Sequence, residues 1–139
     1  MPLHRLYVPP TLYSAKEKSA IADAITKVYS SLPAFYVVVL FISVDKEDYY
    51  VGGRREDNFV RISVEHFARQ FPDDRAKRSF MDRYEKALEP FTKGRGIDWE
   101  VQIEDCDRVS WNENGINPPL PNTKAEKEWK VQNRPVPYY

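Results

Sequence analysis

One cysteine, two histidines, five glycines and no net charge leave this 139-residue chain few of the common routes to function. Cys106 has no partner for an intrachain disulfide, which suits a reducing compartment, and it reads as an ordinary structural thiol. His4 and His66 are the only histidines, and no Cys/His/Asp cluster has metal-ligand spacing, so no metal is expected. The pair Gly52-Gly53 lacks the Lys-Ser/Thr or helix-initiating context of a phosphate loop, and no cofactor is expected either. With 21 basic and 21 acidic side chains, nothing in the charge balance attracts nucleic acid or an anionic membrane. No apolar run approaches the roughly 20 residues that span a bilayer, and the first residues lack the charged and apolar regions of a signal peptide. A soluble, cytoplasmic protein with no nucleic-acid or membrane partner is the expectation. Its length fits one domain whose core needs neither disulfide nor metal.

What the chain does have is a repeated pattern. Leu3 to Val8 is rich in strand formers and stops at Pro9-Pro10, where a ladder cannot continue. Ser14-Ala15-Lys16-Glu17 is a capping box, so a helix starts there; Ile21, Ile25, Val28 and Leu32 recur at helical spacing, and Pro33 ends the run. The continuous apolar stretch from Val37 to Val44 then reads as a strand covered on both sides, as in a parallel pair with a crossover helix. Tyr49-Tyr50-Val51 and Gly52-Gly53 suggest a hairpin or bulged connection.

Phe59 to Val64 alternates as a strand. Asp73 is a candidate N-cap for a helix whose stripe is Phe80, Met81, Tyr84, Ala87, Leu88 and Phe91, closing near Gly94. Trp99, Val101 and Ile103 alternate as a fourth strand. Two consecutive β-α-β units give an α/β (α+β) fold with a four-stranded mixed sheet and two helices on one face. The other face is left bare, and its apolar positions predict burial between subunits.

Residues 1–121 form one domain in this reading. Residues 122–139 are a proline-rich arm that cannot form a long regular element. Trp129, Val131, Tyr138 and Tyr139 are expected to pack on a neighbouring subunit, while Lys124 to Lys130 mixes signs and reads as solvated.

Pro2 is the most informative residue. Initiator methionine is normally removed before proline, which would leave a rigid secondary amine at the start of the first strand. An ordinary α-amino group titrates at roughly 7.7–8.0, and burial near cations lowers that value, so the amine could serve as acid or base near neutrality.

A proline-initiated strand, a β-α-β repeat and an uncovered sheet face together resemble the tautomerase superfamily. Lys18 to Thr26, Gly52-Gly53, the strand at Phe59-Val60 and the stretch Trp111-Asn112-Glu113-Asn114-Gly115 are similar to its cis-3-chloroacrylic acid dehalogenase branch, over residues 2 to about 121. The resemblance implies a tautomerase-type fold, a homotrimer and catalysis by the terminal proline on a small carboxylic acid. It also implies a histidine on the first helix, two arginines after the third strand, a tyrosine on the fourth and a glutamate beyond. Carried over by position, the proline and glutamate are Pro2 and Glu113, and the arginine pair becomes His66 and Arg69. The histidine falls on Tyr29 and the tyrosine on Gln102.

A proton donor, an activated water and a clamped carboxylate are all needed for hydration or dehalogenation, and an arginine fork is hard to replace. Enol-keto tautomerisation needs less. The expectation is therefore an isomerase with weak or no dehalogenase-like activity. Pro2 is the acid or base, Glu113 and Arg69 complete the catalytic set, and His66, Tyr29, Gln102 and Arg61 contact the substrate. The alternative is an inactive trimeric binding or structural homologue in which a retained Met1 blocks the Pro2 nitrogen.

Overall fold

The computed structural model describes residues 2–138. Met1 and Tyr139, which bear on the processing and arm expectations, lie outside the described residues. β1 (Pro2–Val8) ends at Pro9. The capping box forms as expected: Ser14 Oγ accepts from Glu17 N and Glu17 Oε1 from Ser14 N, both at 3.1 Å. α1 (Ala15–Val28) buries Ile21 and Ile25 and is capped at Tyr29, one turn earlier than Pro33 would require, so buried Leu32 lies beyond the helix. β2 (Val38–Ser43) follows, and then a short hairpin of β3 (Tyr50–Val51) and β4 (Arg54–Arg55). Gly52 and Gly53 supply the positive φ angles of its turn, 59° and 80°.

β5 (Phe59–His66) leads to α2 (Asp74–Leu88), whose cap is Asp73 accepting from Ala76 N at 2.8 Å. α2 stops before Pro90 and two 3₁₀ turns carry the chain to Gly96. β6 (Asp98–Asp105) completes the sheet.

The sheet order is β2-β1-β5-β6, with β1 parallel to β2, antiparallel to β5, and β5 parallel to β6. Period-2 alternation puts His4, Leu6 and Val8 of β1 and Val60, Ile62, Val64 and His66 of β5 on the buried side. There they share one core with Ile21 and Ile25 of α1 and Phe80, Tyr84 and Leu88 of α2. Each fully buried aliphatic contributes about 1.5–3 kcal/mol of transfer free energy.

β2 differs from its expectation: it is an edge strand, and only one side is covered within the chain. Val39 and Phe41 pack on the core, while Leu40 on the other side is 43% exposed. The open face is divided. Its β2–β1 half carries Val38, Leu40, Ile42, Leu3 and Tyr7 around the single charge of Arg5, whereas its β5–β6 half is mostly charged and polar. Arg5 meets Glu65 at 2.6 Å and Arg61 meets Glu100 at 2.9 Å.

The expected extended arm instead carries α3 (Lys124–Gln132), capped by Thr123 and ended by Asn133 in the left-handed conformation, φ 50°. Trp129 is fully buried in the same core as Ile25 and Val64, with its ring against Phe35 and Tyr36. Its Nε1 donates to Val136 O at 2.7 Å. Asn133 Oδ1 accepts from Phe35 N and Lys130 Nζ donates to Ser30 O, so the C-terminal end of α3 is fastened to the loop after α1. Its other charges lie on the outer face, whereas Glu126 is buried.

Candidate active site

Strand directions bring five segments to one end of the sheet. β1 begins there at Pro2, and parallel β2 begins beside it, just after Tyr36. Antiparallel β5 ends there, with His66 opposite Pro2, and runs on to Phe67, Ala68 and Arg69. β6 ends alongside, where Cys106 N donates to His66 O at 2.8 Å. α1 runs back against β1, so its C-cap Tyr29 reaches the same end.

On the core side of Pro2 lies an aromatic box. His66 is only 3% exposed and stacks on Phe71 at 4.6 Å, with Phe80 and Tyr29 at 5.7 and 6.0 Å. Tyr29 stands edge-on to His4 at 5.5 Å, and His4 Nδ1 hydrogen-bonds the Tyr84 hydroxyl at 2.8 Å. Burial lowers His66 to about 4, against the pull of Asp105 and with Arg69 assisting. Burial, with His66 second, lowers His4 to about 3. Both rings are neutral near pH 7. Burial also raises the hydroxyls of Tyr29 and Tyr84, keeping them protonated. His4 Nε2, both His66 nitrogens and the Tyr29 hydroxyl have no protein partner.

A charged cluster flanks the box. Arg69 Nη1 and Nη2 donate to Glu126 Oε2 and Oε1 at 2.9 and 2.7 Å, and Asn122 N adds a third bond to that carboxylate at 3.0 Å. Arg108 lies over Trp111 and donates to the carbonyls of Ala68, Pro118 and Pro119. Glu113 Oε1 accepts from Trp111 Nε1 at 3.1 Å. Its backbone pairs with Ile116 around Asn114 and Gly115, both at positive φ.

Tyr36, fully buried, packs edge-on against Trp111 at 4.8 Å. Its hydroxyl has no partner. Burial raises it above the ordinary tyrosine range; Glu126 and Glu113 reinforce that shift, while Arg108 and Arg69 oppose it. Tyr36 therefore feels four charged groups of the cluster at once.

Of the residues expected at the site, Pro2, Tyr29, His66, Arg69 and Glu113 lie at this end of the sheet. Two differ in role from what their type suggested: His66 faces inward as a neutral ring, and Arg69 already holds a carboxylate. Arg61 and Gln102 lie on the open face, where Arg61 Nη2 donates to Gln102 Oε1 at 2.9 Å, so within one chain they face away from Pro2. Tyr36, Arg108 and Glu126 were not anticipated. The spacing Thr123-Lys124-Ala125-Glu126 is a capping-box pattern that could have announced α3, but nothing local links Glu126 to Arg69. Among the described residues no His/Cys/Asp/Glu group is arranged to hold a metal.

No curated protein matches the chain. Native RhCC from Rhodococcus jostii RHA1 is 40% identical, with a TM-score of 0.94 over 98% of this chain and 99% of that one. A probable enzyme from the thermophilic fungus Aspergillus fumigatus is 36% identical, with a TM-score of 0.93 over 99% and 98% of the two chains. N1, a member of the cis-3-chloroacrylic acid dehalogenase family, shares the fold at 16% identity, with a TM-score of 0.72 over 94% and 97%. Residues 1–134 match the family model Tautomerase_3, described as "Putative oxalocrotonate tautomerase enzyme". With the β-α-β repeat and its Pro2-initiated strand, these likenesses identify the chain as a member of the Tautomerase_3 family of the tautomerase superfamily.

Proposed function

We propose that this protein is an enzyme that interconverts enol and keto forms of a small unsaturated or 2-oxo carboxylic acid, with the amino-terminal nitrogen of Pro2 as acid and base. The observation that carries this reading is the position of Pro2. It starts an inner strand, directly opposite His66 of the neutral aromatic box, at the sheet end where the segment leaving β5 carries Arg69. Burial and nearby guanidinium groups favour a neutral amine. That amine takes the enol hydroxyl proton, and the ammonium so formed returns a proton to the adjacent carbon, which requires no cofactor. Glu113, held by Trp111, positions the substrate.

Hydration and dehalogenation are disfavoured for a physical reason. They call for a two-arginine clamp on the substrate carboxylate, but at the two positions expected to supply it His66 is neutral and the fork of Arg69 is filled by Glu126. Three copies of the chain would cover the apolar half of the open sheet face, giving a homotrimer. No helix among the described residues is long and apolar enough to cross a membrane, in keeping with a cytoplasmic enzyme.

The test uses protein from which Met1 has been removed, verified by intact mass, because a retained methionine turns the Pro2 nitrogen into a non-basic amide. Ketonisation of the enol of phenylpyruvate is followed for wild type and Pro2→Ala. A loss of at least about tenfold, roughly 1.4 kcal/mol of barrier, is expected. An unchanged rate removes Pro2 from the mechanism.

A further inference from the structure

We infer that Tyr36 and Arg108, and not Arg69, hold the substrate's carboxylate, and that the acid carries an apolar tail. The inference rests on the proposed tautomerase reading and names the substrate class and binding groups of that site. Arg69 is committed: its two terminal nitrogens are spent on Glu126, which is 4% exposed and bound again by Asn122 N. A ligand taking that fork would leave a buried carboxylate without its cation, a costly exchange.

Arg108 is differently placed. Its guanidinium donates to the carbonyl oxygens of Ala68, Pro118 and Pro119. These bonds fix the guanidinium plane without neutralising its charge. Tyr36 and Arg108 both pack on the Trp111 ring, at 4.8 and 5.7 Å, and the buried Tyr36 hydroxyl has no hydrogen-bond partner. A buried donor left unsatisfied costs about 1–3 kcal/mol, which a carboxylate oxygen would relieve. A cation fixed by carbonyls and a neutral donor awaiting an acceptor are complementary to one carboxylate.

Arg108 also opens onto a groove of about 470 Å³ whose walls include Val109, Pro118, Pro119, Leu120 and Tyr138. Val109 and Leu120 are 84% and 67% exposed. Such walls suit an aryl or branched alkyl group better than a second charge. The substrate class is therefore a 2-oxo acid, or its enol, with an apolar substituent.

Met-free wild type, Tyr36→Phe, Arg108→Gln, Arg108→Lys, Arg69→Gln and Pro2→Ala are assayed with the enol of phenylpyruvate and the enol of its uncharged methyl ester. Phenylpyruvate quenching of tryptophan fluorescence is read on the same proteins. Arg108→Gln should raise KM and Kd for the acid about tenfold or more while moving the ester by less than about twofold. Tyr36→Phe should show the same preference more weakly, and Arg108→Lys should recover part of the acid binding. Arg69→Gln should lower thermal stability and leave the acid-to-ester ratio unchanged.

An unchanged ratio in both Arg108 variants, an acid-selective loss in Arg69→Gln, or no binding of phenylpyruvate to wild type would overturn the inference. Should Arg108→Gln not fold, Arg108→Lys and Tyr36→Phe decide it. Failure of the tautomerase reading is separately visible: Pro2→Ala would keep its rate, while the quenching titrations would still report where the carboxylate binds.

Discussion

Glu126 closes a bidentate ion pair on Arg69, at 2.7 and 2.9 Å, and so ties α3 to the segment that leaves β5. Glu126 keeps 6% of its side-chain surface and Arg69 27%. The pair is thus buried on one side and fringed by solvent on the other. Removing one partner of a fully buried pair costs about 3–5 kcal/mol, since a charge is left uncompensated. Glu126→Ala should fall at the lower end, about 3 kcal/mol, because Arg69 can turn partly to water. Denaturant unfolding of the two proteins measures it. A loss below about 1 kcal/mol would show that α3 is held by Trp129 and its bonds to the loop after α1 rather than by this pair.

The buried histidines predict an acid-sensitive fold. His66 is lowered to about 4 and His4 to about 3, chiefly by burial, whereas unfolded histidine titrates near 6.5. Between those values the unfolded chain binds protons that the folded chain does not, so stability falls as pH falls. Each histidine contributes a slope of about 1.4 kcal/mol per pH unit, setting in below about pH 6.5 and ending near its folded value. The groups facing them are Tyr29, Tyr84, Asp105 and Arg69. Chemical unfolding from pH 7 to 4.5, with His66→Phe for comparison, should show a shallower slope in the variant. Equal slopes would mean that His66 is not buried neutral.

Much of the fold is legible because its signals are local. Ser14 and Glu17 satisfy each other three residues apart, Asp73 caps its own helix, and two glycines at positive φ make the hairpin turn. Each of these bonds lies within one turn of chain. The apolar run at β2 marks a strand equally well, but the same run serves a central strand or an edge whose outer side awaits another surface. Its position in the sheet is set by pairing with β1 across more than 30 residues. α3 is obscured by prolines on both sides and by charges of which all but that of Glu126 belong to its outer face.

The site is less legible than the fold. Pro2 and Glu113 stand out by their place in the chain, whereas Tyr36, Arg108 and Glu126 acquire meaning only when the sheet end assembles them. His66 shows the opposite effect. As a sequence position it suggested a substrate contact, yet strand alternation turns it to the core side, against Phe71 and Phe80.

That placement changes what an arginine at position 66 would do. An arginine introduced to restore a carboxylate clamp would put its charge into a box of aromatic rings. The cost of an unpaired buried charge exceeds that of a neutral polar group. His66→Arg should therefore destabilise the fold by several kcal/mol and fail to raise turnover of a cis-halogenated unsaturated acid. Thermal melting and halide release, measured on the same preparation, check both parts. A stable variant with new dehalogenase activity would show that position 66 can face the substrate.

The open sheet face carries the last prediction. Its β2–β1 half presents Val38, Leu40, Ile42, Leu3 and Tyr7 around Arg5, whose charge is met by Glu65 of β5, while Arg61–Glu100 pairs charge within the β5–β6 half. Leu40 sits on an edge strand and is 43% exposed, so a charge there disturbs nothing inside the chain. In an assembly that covers this face, however, the charge would be stripped of water without a partner. Wild type should sediment at about three times the 16.3 kDa chain mass, and Leu40→Asp should shift to lighter species while keeping its far-ultraviolet dichroism. Since the apolar half borders β1, the strand that begins at Pro2, enol ketonisation should fall along with assembly if neighbouring copies complete the site. A wild type that stays monomeric at micromolar concentration would leave the apolar half of the sheet without the cover proposed for it, and would count against the homotrimer.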